Sequence, residues 1–526
     1  MTLAVTEDHH LLAETARAVL GRQGGVGPAR EATETGGDNR LPASWDEIVA
    51  LGWLGLAVGE EFGGQGYGVE ELAVVIYELG RADAPGPFLP TVWAVAVLDR
   101  GGDDAQRRAY LPDLVAGRRH AAVGLDADAV LGGGWADVVL MVEGDDVVIL
   151  ERGTTPAGNE VEVEVLDSLD RTRPLARVTT TTPTTTTTTA TATPAGRIAG
   201  AAGAARDLGR VLAAAEAAGV ASACLDAATG YAKERVQFGR VIGSFQAVKH
   251  HLANMAVDTE LATAAAWDAA RAASVPPDDA GADEQLGLAA AVAATEALAG
   301  AVRVARRSIQ VHGGIGFTWE HDAHLYLRRA TSLRAVFASD PDPAADVTAA
   351  TRAGIRRASA VALPAEAAAP RASAVAFRER LLALPADQRR AELVASGYLV
   401  PHWPAPWGRG AGPVEQLVVD EVLAGVGRPS LGIGGWVTLT IAQHGTPDSS
   451  NAGSGPACSA SWCSARCSPS PMPAPTRRPS ARAAPGSTAG GWSPARRCGP
   501  RVPTSPVAGS PPCGPIRTRR STRASP

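Results

Sequence analysis

The sequence contains very little lysine and, over most of its length, almost no cysteine. Only two lysines, Lys233 and Lys249, stand against 47 arginines in 526 residues, which indicates a gene rich in G and C. Before residue 449 the only cysteine is Cys224, so this part of the chain has no disulfide framework. A reducing, cytoplasmic location is therefore expected.

Long apolar runs and targeting features are also missing. No run approaches the ~20 apolar residues that a membrane-spanning helix requires. Glu7, Asp8 and Glu14 do not fit a signal peptide. The formal charge is −6, and residues 449–526 alone carry +11, so residues 1–448 carry −17. An acidic body of this kind argues against nucleic acid as a partner, and neither membrane nor nucleic acid is predicted.

The order of sequence patterns predicts helices at both ends of the first 345 residues. Helical spacing dominates residues 5–110, and three longer helices are predicted at 206–237, 245–273 and about 283–311, as in an antiparallel bundle. Between them, residues 138–150 predict a β-hairpin and residues 161–165 a half-exposed strand. The threonine run at 179–193 predicts a linker or a loosely held strand.

An internal repeat connects two distant parts of the chain. Val69-Glu70-Glu71-Leu72, with Gly80-Arg81 behind it, recurs as Val414-Glu415-Gln416-Leu417 with Gly427-Arg428. Phe62-Gly63, ahead of the first copy, recurs as Trp407-Gly408. Similarity at this separation predicts a duplicated domain.

Two segments carry motifs that could bind a ligand. One runs from Glu234 to Ile242 and continues into Phe245-Gln246, and the other runs from Gln310 to Thr318. An arginine beside a phenylalanine at a helix end can hold a pyrophosphate and cover an adenine ring. A Gly-Gly turn lets the backbone approach an anionic or flat ligand. Spacing alone favours a simpler alternative, in which Phe238 and Phe245 are core residues and the glycines are helix caps.

Taken together, Arg-x-Gln-Phe-Gly, Gln-x-His-Gly-Gly-x-Gly and the pattern from Gly52 to Arg81 resemble the acyl-CoA dehydrogenase family. The resemblance covers residues 1–340 and starts again from about 374 to 447. It implies a mixed α and β, mainly α fold with a helical N-terminal domain, a reduced β domain and a C-terminal four-helix bundle, plus a truncated second copy. The predicted segments are an N-terminal helical domain (1–118), a short β domain (119–178), a threonine-rich linker (179–197), a helical bundle (198–345), a second linker (346–373), the helical start of the second copy (374–447) and a tail (448–526).

The resemblance also implies FAD as cofactor, bound across two halves of an assembly. In that family the first motif contacts the cofactor of a partner half, and the second lines the adenine and pyrophosphate side. The positions of this chain that match are Arg235, Gln237, Phe238, Gly239, Gln246, Gln310, His312, Gly313, Gly314 and Gly316. No metal site is predicted.

The reaction of the family requires a carboxylate base that removes the α-proton of an acyl thioester while hydride leaves the β-carbon for the flavin. The family places this glutamate in one of two positions. The first is matched by Val336-Phe337-Ala338 and the second by Gly209, so no catalytic residue is predicted in this half. Glu216, two turns from Gly209, is predicted to lie on a solvated face.

The pattern resembles fused or paired bacterial members in which one half is inactive and the other catalyses. Several of those act on steroid side chains carried as CoA thioesters, and the segment from Trp319 to Arg329 is typical of that subgroup. The resemblance implies α,β-dehydrogenation of an acyl-CoA in fatty acid or steroid catabolism, with an acceptor such as an electron-transfer flavoprotein and a homo- or hetero-oligomer. The alternative is a non-catalytic FAD-binding half that supports a catalytic partner.

Residues 449–526 lack lysine, aspartate, glutamate, leucine and phenylalanine, and hold 15 of the 38 prolines. A disordered anion-binding arm is one interpretation, and a metal site at Cys463 and Cys467 is another, but no matching ligand pair follows them. Off-frame translation of GC-rich DNA explains the composition of this segment better than either of these interpretations. Shifted by one base, residues 469–474 can encode Glu-Pro-Asp-Ala-Gly, a motif of the family's β domain. We predict a frameshift near Pro447-Asp448, which leaves a tail without fold or function.

Overall fold

The computed structural model describes residues 6–36, 39–154, 160–181, 196–338, 341–357, 363–446 and 448. The chain divides into two compact units between residues 360 and 361. The predicted tail at 449–526 and most of the threonine run, residues 182–195, lie outside the described residues.

The first unit begins with six helices. Their bounds are α1 (Glu7–Arg22), α2 (Gly27–Thr35), α3 (Trp45–Ala50), α4 (Val69–Arg81), α5 (Phe88–Gly101) and α6 (Asp104–Val115). Local sequence explains where α1 and α6 begin, because Thr6 and Asp103 each accept a hydrogen bond from the backbone three residues later. Helix α4 buries Leu72, Val75, Ile76 and Leu79, and α5 buries ten of its fourteen residues.

Two small four-stranded sheets follow the six helices. The first has the order β1 (Ala121–Gly124), β3 (Val138–Glu143), β4 (Asp146–Glu151) and β8 (Arg197–Ile198), and the second has β2 (Val130–Leu131), β7 (Leu175–Thr181), β6 (Glu160–Val165) and β5 (Gly153–Thr154). The predicted hairpin is confirmed, since β3 and β4 pair antiparallel across Gly144-Asp145. The strands extend beyond the predicted end at residue 178, because residues 179–181 pair with β6 and residues 197–198 pair with β4.

The bundle of the first unit confirms the three predicted long helices. It consists of α7 (Ala202–Glu234), α8 (Gln246–Ala273), α9 (Ala282–Ala293) continued by α10 (Ala299–His312), and α11 (Ala323–Phe337), with the two-stranded hairpin β9 (Val236–Gln237) and β10 (Arg240–Val241) after α7. A further helix, α12 (Pro343–Arg352), occupies part of the segment predicted as a linker.

Helix α7 is the central element of the first unit, because small residues let its neighbours approach closely. A Cβ atom added to Gly219 would lie 2.0 Å from the carbonyl oxygen of Tyr77, and one added to Gly80 would lie 2.4 Å from that of Glu216. Helices α4 and α7 therefore cross with backbone nearly against backbone.

Two helical stretches, Ala202–Glu234 and Ala282–His312, have the length and composition of membrane spans. In the structure 89% and 72% of their most apolar windows are buried inside the first unit. This burial is what the core helices of a bundle show, so the two stretches are weak evidence for membrane spans.

The second unit is helical where it is described. It contains α13 (Ala368–Ala383), α14 (Ala386–Ala395), α15 (Pro413–Val422) and α16 (Gly432–His444). Phe377 and Tyr398 stack with ring centroids 4.1 Å apart at its centre. Its first helix begins six residues before the predicted domain start at 374.

A cluster of buried charges connects the three parts of the first unit. The guanidinium of Arg329 on α11 is buried. Its Nε donates to Asp170 at 2.6 Å, and its Nη2 donates to Thr172 Oγ1 at 2.6 Å and to the carbonyl oxygen of Ala84 at 3.0 Å. Asp170 and Thr172 belong to the β section, while Ala84 follows α4. The side chain of Arg329, which belongs to the bundle, thus forms hydrogen bonds with both the β section and the segment that follows α4.

Glu216 belongs to the same cluster, so the prediction that it lies on a solvated face is wrong. It is buried on α7, where Arg173 donates to both carboxylate oxygens at 2.8 and 3.0 Å and Arg329 donates to one of them. Despite the opposing effect of burial, these two arginines hold the pKa of Glu216 below its usual value. The sequence showed only a glutamate on a helix, whereas the structure brings in two distant arginines.

Asp83 is the unbalanced member of the cluster. Three carboxyl groups face two guanidinium groups here, and neither carboxylate oxygen of Asp83 accepts a hydrogen bond from the residues that the structure describes. Burial raises the pKa of Asp83 to about 7, with Asp170 and Glu216 acting in the same direction and Arg329, 3.4 Å away, opposing them. Asp83 is therefore a proton-binding group inside the fold.

We expect Asp83→Asn to change the pH dependence of stability. A folded-state pKa raised above the unfolded value means that the folded protein binds the proton more tightly, so this contribution to stability is lost as pH rises from about 4 through 7. Asparagine does not ionise, so its stability contribution does not fall as the pH rises. It also tolerates the left-handed backbone at this position (φ 51°). Relative to wild type, the variant should gain on the order of 2 kcal/mol in free energy of unfolding between pH 5 and pH 8.

Urea unfolding followed by circular dichroism at both pH values measures this gain. Asp278→Asn, at an exposed position between α8 and α9, is the matched control and should change the free energy of unfolding by less than about 0.5 kcal/mol at both pH values. An Asp83→Asn variant that loses stability equally at pH 5 and pH 8 would contradict the assignment.

Candidate functional site

The two ligand-binding motifs meet at one end of the bundle. Arg235 is the C-cap of α7, and Gln246 begins α8. His312 ends α10, and Gly313 is its C-cap with φ 64° and ψ −135°, a conformation that favours glycine. Motifs 75 residues apart in sequence thus lie side by side because α7 and α10 end at the same end of the bundle.

An open cleft of about 600 Å³ lies between the two motifs. Its lining contains Arg235, Gln237, His312, Gly313 and Gly314 from the predicted set. It also contains residues that sequence analysis did not select, namely Tyr231, Ile242, Val311 and Ile315. The structure therefore brings half of the predicted site residues into one cleft.

The other predicted residues lie around the cleft and do not line it. They are Phe238, Gly239, Gln246, Gln310 and Gly316. Gly316 has a packing role, because a Cβ atom there would lie 2.7 Å from the Cβ of His312 and 2.8 Å from the carbonyl oxygen of Ile309. Gly313 is the C-cap of α10, so the alternative interpretation of the glycines as helix caps is correct for this residue.

The alternative of a core role for Phe238 is wrong. Its side chain is 92% exposed at the tip of the β9–β10 hairpin, with φ 53° beside Gly239 at φ 77°. A phenylalanine with positive φ is strained. Phe245 is half-buried, meets Phe238 edge to face at 6.2 Å and lies under the guanidinium of Arg240 at 4.2 Å. The hairpin presents an aromatic ring that the rest of the described chain leaves uncovered.

His312 forms the buried wall of the cleft. Its Nδ1 donates to the carbonyl oxygen of Ser308 at 2.7 Å, because a carbonyl can only accept. Its ring contacts Tyr231 and His321 with centroids 4.8 and 4.4 Å away. Burial lowers the pKa of His312, and His321 acts in the same direction against the bond to Ser308. The imidazole is therefore neutral near pH 7.

Tyr231 is a cleft residue that sequence analysis missed. It stands four residues before Arg235, whose backbone N–H donates to the carbonyl oxygen of Tyr231 at 2.8 Å, and both residues line the cleft. The sequence signal that could have identified Tyr231 is its position four residues before the arginine of the first motif. Tyr231 and His312 together supply aromatic surface beside the cation.

The cleft fits the phosphate and adenine end of a dinucleotide such as FAD. The guanidinium of Arg235 is exposed and makes no ion pair with the described part of the chain. A Cβ atom on Gly313 or Gly314 would meet nothing within 4 Å, so a ligand can approach the backbone there. A free cation, two aromatic rings and open backbone are the groups that a pyrophosphate and a purine need.

Two of the residues at which the resemblance led us to expect no catalytic base, Gly209 and Phe337 of Val336-Phe337-Ala338, lie next to each other in space. A Cβ atom on Gly209 would lie 2.8 Å from Cε1 of Phe337 and 2.6 Å from the indole of Trp93. Phe337 and Trp93 are both buried, with ring centroids 4.9 Å apart. This point is occupied by aromatic carbon and carries no carboxylate. Among the described residues there is also no group of three or more metal-ligating side chains.

Comparison with known proteins agrees with the resemblance seen in the sequence. Residues 6–118 match the family model of the acyl-CoA dehydrogenase N-terminal domain, and residues 200–337 match that of the C-terminal domain. Acyl-CoA dehydrogenase FadE34 of Mycobacterium tuberculosis is 42% identical over 418 residues, which are 76% of this chain and 55% of that protein. The chain thus spans about half the length of this relative.

A second relative is matched over nearly all of its length. Acyl-CoA dehydrogenase IpdE2 of Mycobacterium tuberculosis is 36% identical over 328 residues, which are 62% of this chain and 91% of that protein. Among solved structures, the Tcur3481-Tcur3483 steroid ACAD variant is 26% identical with a TM-score of 0.55, covering 66% of this chain and 98% of that chain.

We expect Gly313→Ala and Gly314→Ala to differ in stability. Gly313 adopts positive φ, so alanine should cost about 2 kcal/mol through backbone strain. Gly314 has helical φ and ψ with open space around its Cα, so alanine should change the free energy of unfolding by less than about 0.5 kcal/mol. Urea unfolding of both variants measures the difference, and equal losses would contradict the geometry of the turn.

Proposed function

Because the chain belongs to the acyl-CoA dehydrogenase family, we propose that its first unit is an FAD-binding half that does not itself catalyse. The observation that carries this proposal is a contrast within one unit. The cofactor motifs line an open cleft, whereas Phe337 and Gly209 provide no base. The parent reaction is FAD-dependent α,β-dehydrogenation of an acyl-CoA thioester.

The chain's own residues would hold the cofactor at its ADP end. Arg235 would pair with the pyrophosphate, since charge-assisted hydrogen bonds to phosphate are strong. Tyr231 and His312 would contact the adenine side, and the backbone at Gly313-Gly314 would approach the phosphates. The exposed Phe238 would cover part of a cofactor shared with a second half. When bound, FAD supplies the acceptor for a hydride.

Glu216 does not replace the missing base. Glu216 lies on α7 two turns from Gly209, but both of its oxygens accept hydrogen bonds from buried arginines. A carboxylate fixed in this way, with a lowered pKa, neither accepts a proton readily nor reaches a ligand. Turnover of the parent enzyme therefore requires a base from another half.

The second unit supports the idea of a duplicated domain. Gly52 and Gly397, 345 residues apart, both have left-handed backbones, with φ of 69° and 75°. Each donates its N–H to the carbonyl three residues earlier, at 2.9 and 3.1 Å. Each is followed by a buried aromatic residue and a buried leucine. We propose that residues 374–447 begin a second, catalytic copy, which a frameshift near Pro447-Asp448 interrupts.

Substrate and partners follow from the relatives and from the open cleft. The match covers 55% of FadE34. The similarity to FadE34 and to the steroid ACAD favours a bulky or steroid acyl-CoA as the substrate, in lipid catabolism. A cleft whose aromatic hairpin is exposed requires a second half, supplied by a homo- or hetero-oligomer. An electron-transfer flavoprotein would accept the electrons. The single reduced, buried Cys224 in the described part of the chain favours a cytoplasmic location.

We expect the purified chain to retain flavin that is not bleached by acyl-CoA. Arg235→Ala should weaken FAD binding about tenfold or more, because a charged hydrogen bond to phosphate is lost. Equilibrium binding followed by flavin absorbance measures this effect. Arg306→Ala, at an exposed position on α10, is the matched control and should bind like wild type.

The same experiment separates the alternatives. Bleaching of the flavin by butyryl-CoA or octanoyl-CoA would favour an active enzyme over a supporting half. A wild-type chain that binds no FAD would contradict the cofactor assignment.

We expect the gene to regain a family-like reading frame after a single-base correction near the codon of Pro447. Sequencing the DNA from the codon of Gly445 onward tests this expectation. A restored frame that encodes a β domain and a helical bundle supports the second copy. Confirmation of the sequence as printed would leave a flavin-binding remnant with an arginine-rich tail.

A further inference from the structure

We propose that His312 selects the nucleoside end of the bound ligand by accepting a hydrogen bond from an amino or hydroxyl group. This inference rests on the proposed function, because it concerns the cleft that is assigned to the cofactor. It goes further, since it gives one side chain a hydrogen-bonding role with a stated direction and predicts which nucleotides the cleft rejects.

The tautomer of His312 is fixed by its own helix. Its Nδ1 lies 2.7 Å from the carbonyl oxygen of Ser308, one turn earlier on α10. A carbonyl oxygen can only accept, so Nδ1 carries the proton and Nε2 of the neutral ring carries a lone pair. While the ring is neutral, Nε2 is therefore an acceptor that cannot donate.

The acceptor at Nε2 has no partner within the described part of the chain. His312 is only 5% exposed, and it lines the cleft. The closer of its two ring neighbours, His321, uses its own Nδ1 to accept from the backbone N–H of Ala323 at 3.0 Å. An acceptor in a buried residue costs free energy unless a donor reaches it. A ligand in the cleft can supply that donor.

Two residues that line the cleft thus have opposite hydrogen-bonding character. Arg235 offers only donors, whereas His312 offers only an acceptor at Nε2. A phosphate oxygen beside Nε2 would set one lone pair against another, but the same oxygen is stabilised beside a guanidinium. In an adenosine diphosphate group the donors are the amino group of the base and the hydroxyl groups of the ribose. These donors belong at His312, and the phosphates belong at Arg235.

The imidazole is held in place, which makes the selection sharper. The rings of Tyr231 and His321 pack against it with centroids 4.8 and 4.4 Å away, and the bond to Ser308 fixes its rotation. A site built to hydrogen-bond one group of a ligand rejects an analogue that lacks the group, because its own polar atom is then left unpaired. We therefore expect discrimination between nucleotides that differ in a single donor.

The experiment measures binding of ADP, IDP, 2′-deoxy-ADP and 3′-deoxy-ADP to the full chain, freed of flavin, by calorimetry. IDP carries a carbonyl oxygen in place of the amino group of adenine, and each deoxy nucleotide lacks one ribose hydroxyl. The nucleotide without the donor that faces Nε2 should bind about tenfold or more weakly than ADP. Weaker binding of IDP alone identifies the amino group, and weaker binding of a deoxy nucleotide alone identifies the ribose.

Variants of His312 connect the preference to this side chain. His312→Phe keeps an aromatic ring but removes the acceptor, so the nucleotides should bind within about twofold of one another. His312→Gln carries an amide oxygen that can accept, and it should retain part of the preference. His321→Phe changes the neighbouring ring, which does not line the cleft, and this matched control should keep the preference of wild type.

Circular dichroism identifies which variants are folded. A wild-type chain that binds all of these nucleotides within about twofold, or binds none of them, overturns the proposal. A folded His312→Phe variant with the full preference of wild type also overturns it. Flavin retention is measured separately by absorbance, so failure of the cofactor proposal is distinguishable. A chain that retains no flavin but discriminates through His312 would contradict the cofactor and support the acceptor.

Discussion

The buried guanidinium of Arg329 is the contact on which the arrangement of the first unit depends. It joins the bundle to the β section through Asp170 and Thr172, and to the end of α4 through the carbonyl oxygen of Ala84. A buried arginine is tolerable only when its charge and its N–H groups are satisfied. Glu216 and Asp170 satisfy them, so the positions of three structural parts are fixed together. The cluster is one carboxyl group in excess, and burial raises the pKa of Asp83 to about 7.

Around this cluster, the fold leaves one cleft open and packs aromatic rings tightly against Gly209 elsewhere. The ends of α7 and α10 form a cleft with uncovered backbone and with an arginine that pairs with no carboxylate in the described part of the chain. At the other site, where α5, α7 and the end of α11 meet, rings of Trp93 and Phe337 fill the space beside Gly209. The open cleft and the packed aromatic contact thus lie in different parts of the same unit.

Local patterns predicted much of the fold. The bounds of the long helices came from apolar periodicity, and the β3–β4 hairpin came from two apolar runs around Gly144-Asp145, because both depend on neighbouring residues. The motif residues of the cleft came from resemblance, and five of the ten line it. The structure of the threonine run was harder to predict from local patterns. Residues 179–181 form a strand because β6 provides a partner with matching register.

Short-range sequence patterns were enough to predict the helical architecture and the family motifs, because each of these is written in residues close along the chain. Only the tertiary structure decided which residues are buried and what they contact. Glu216 looked like a surface residue until Arg173 and Arg329, 43 and 113 positions away, came into contact with it. Phe238 was predicted to contact a cofactor, with a core role as the alternative, and a two-residue turn holds it in solvent. Trp93 carried no motif at all, and its place beside Phe337 follows from packing between helices that are distant in sequence.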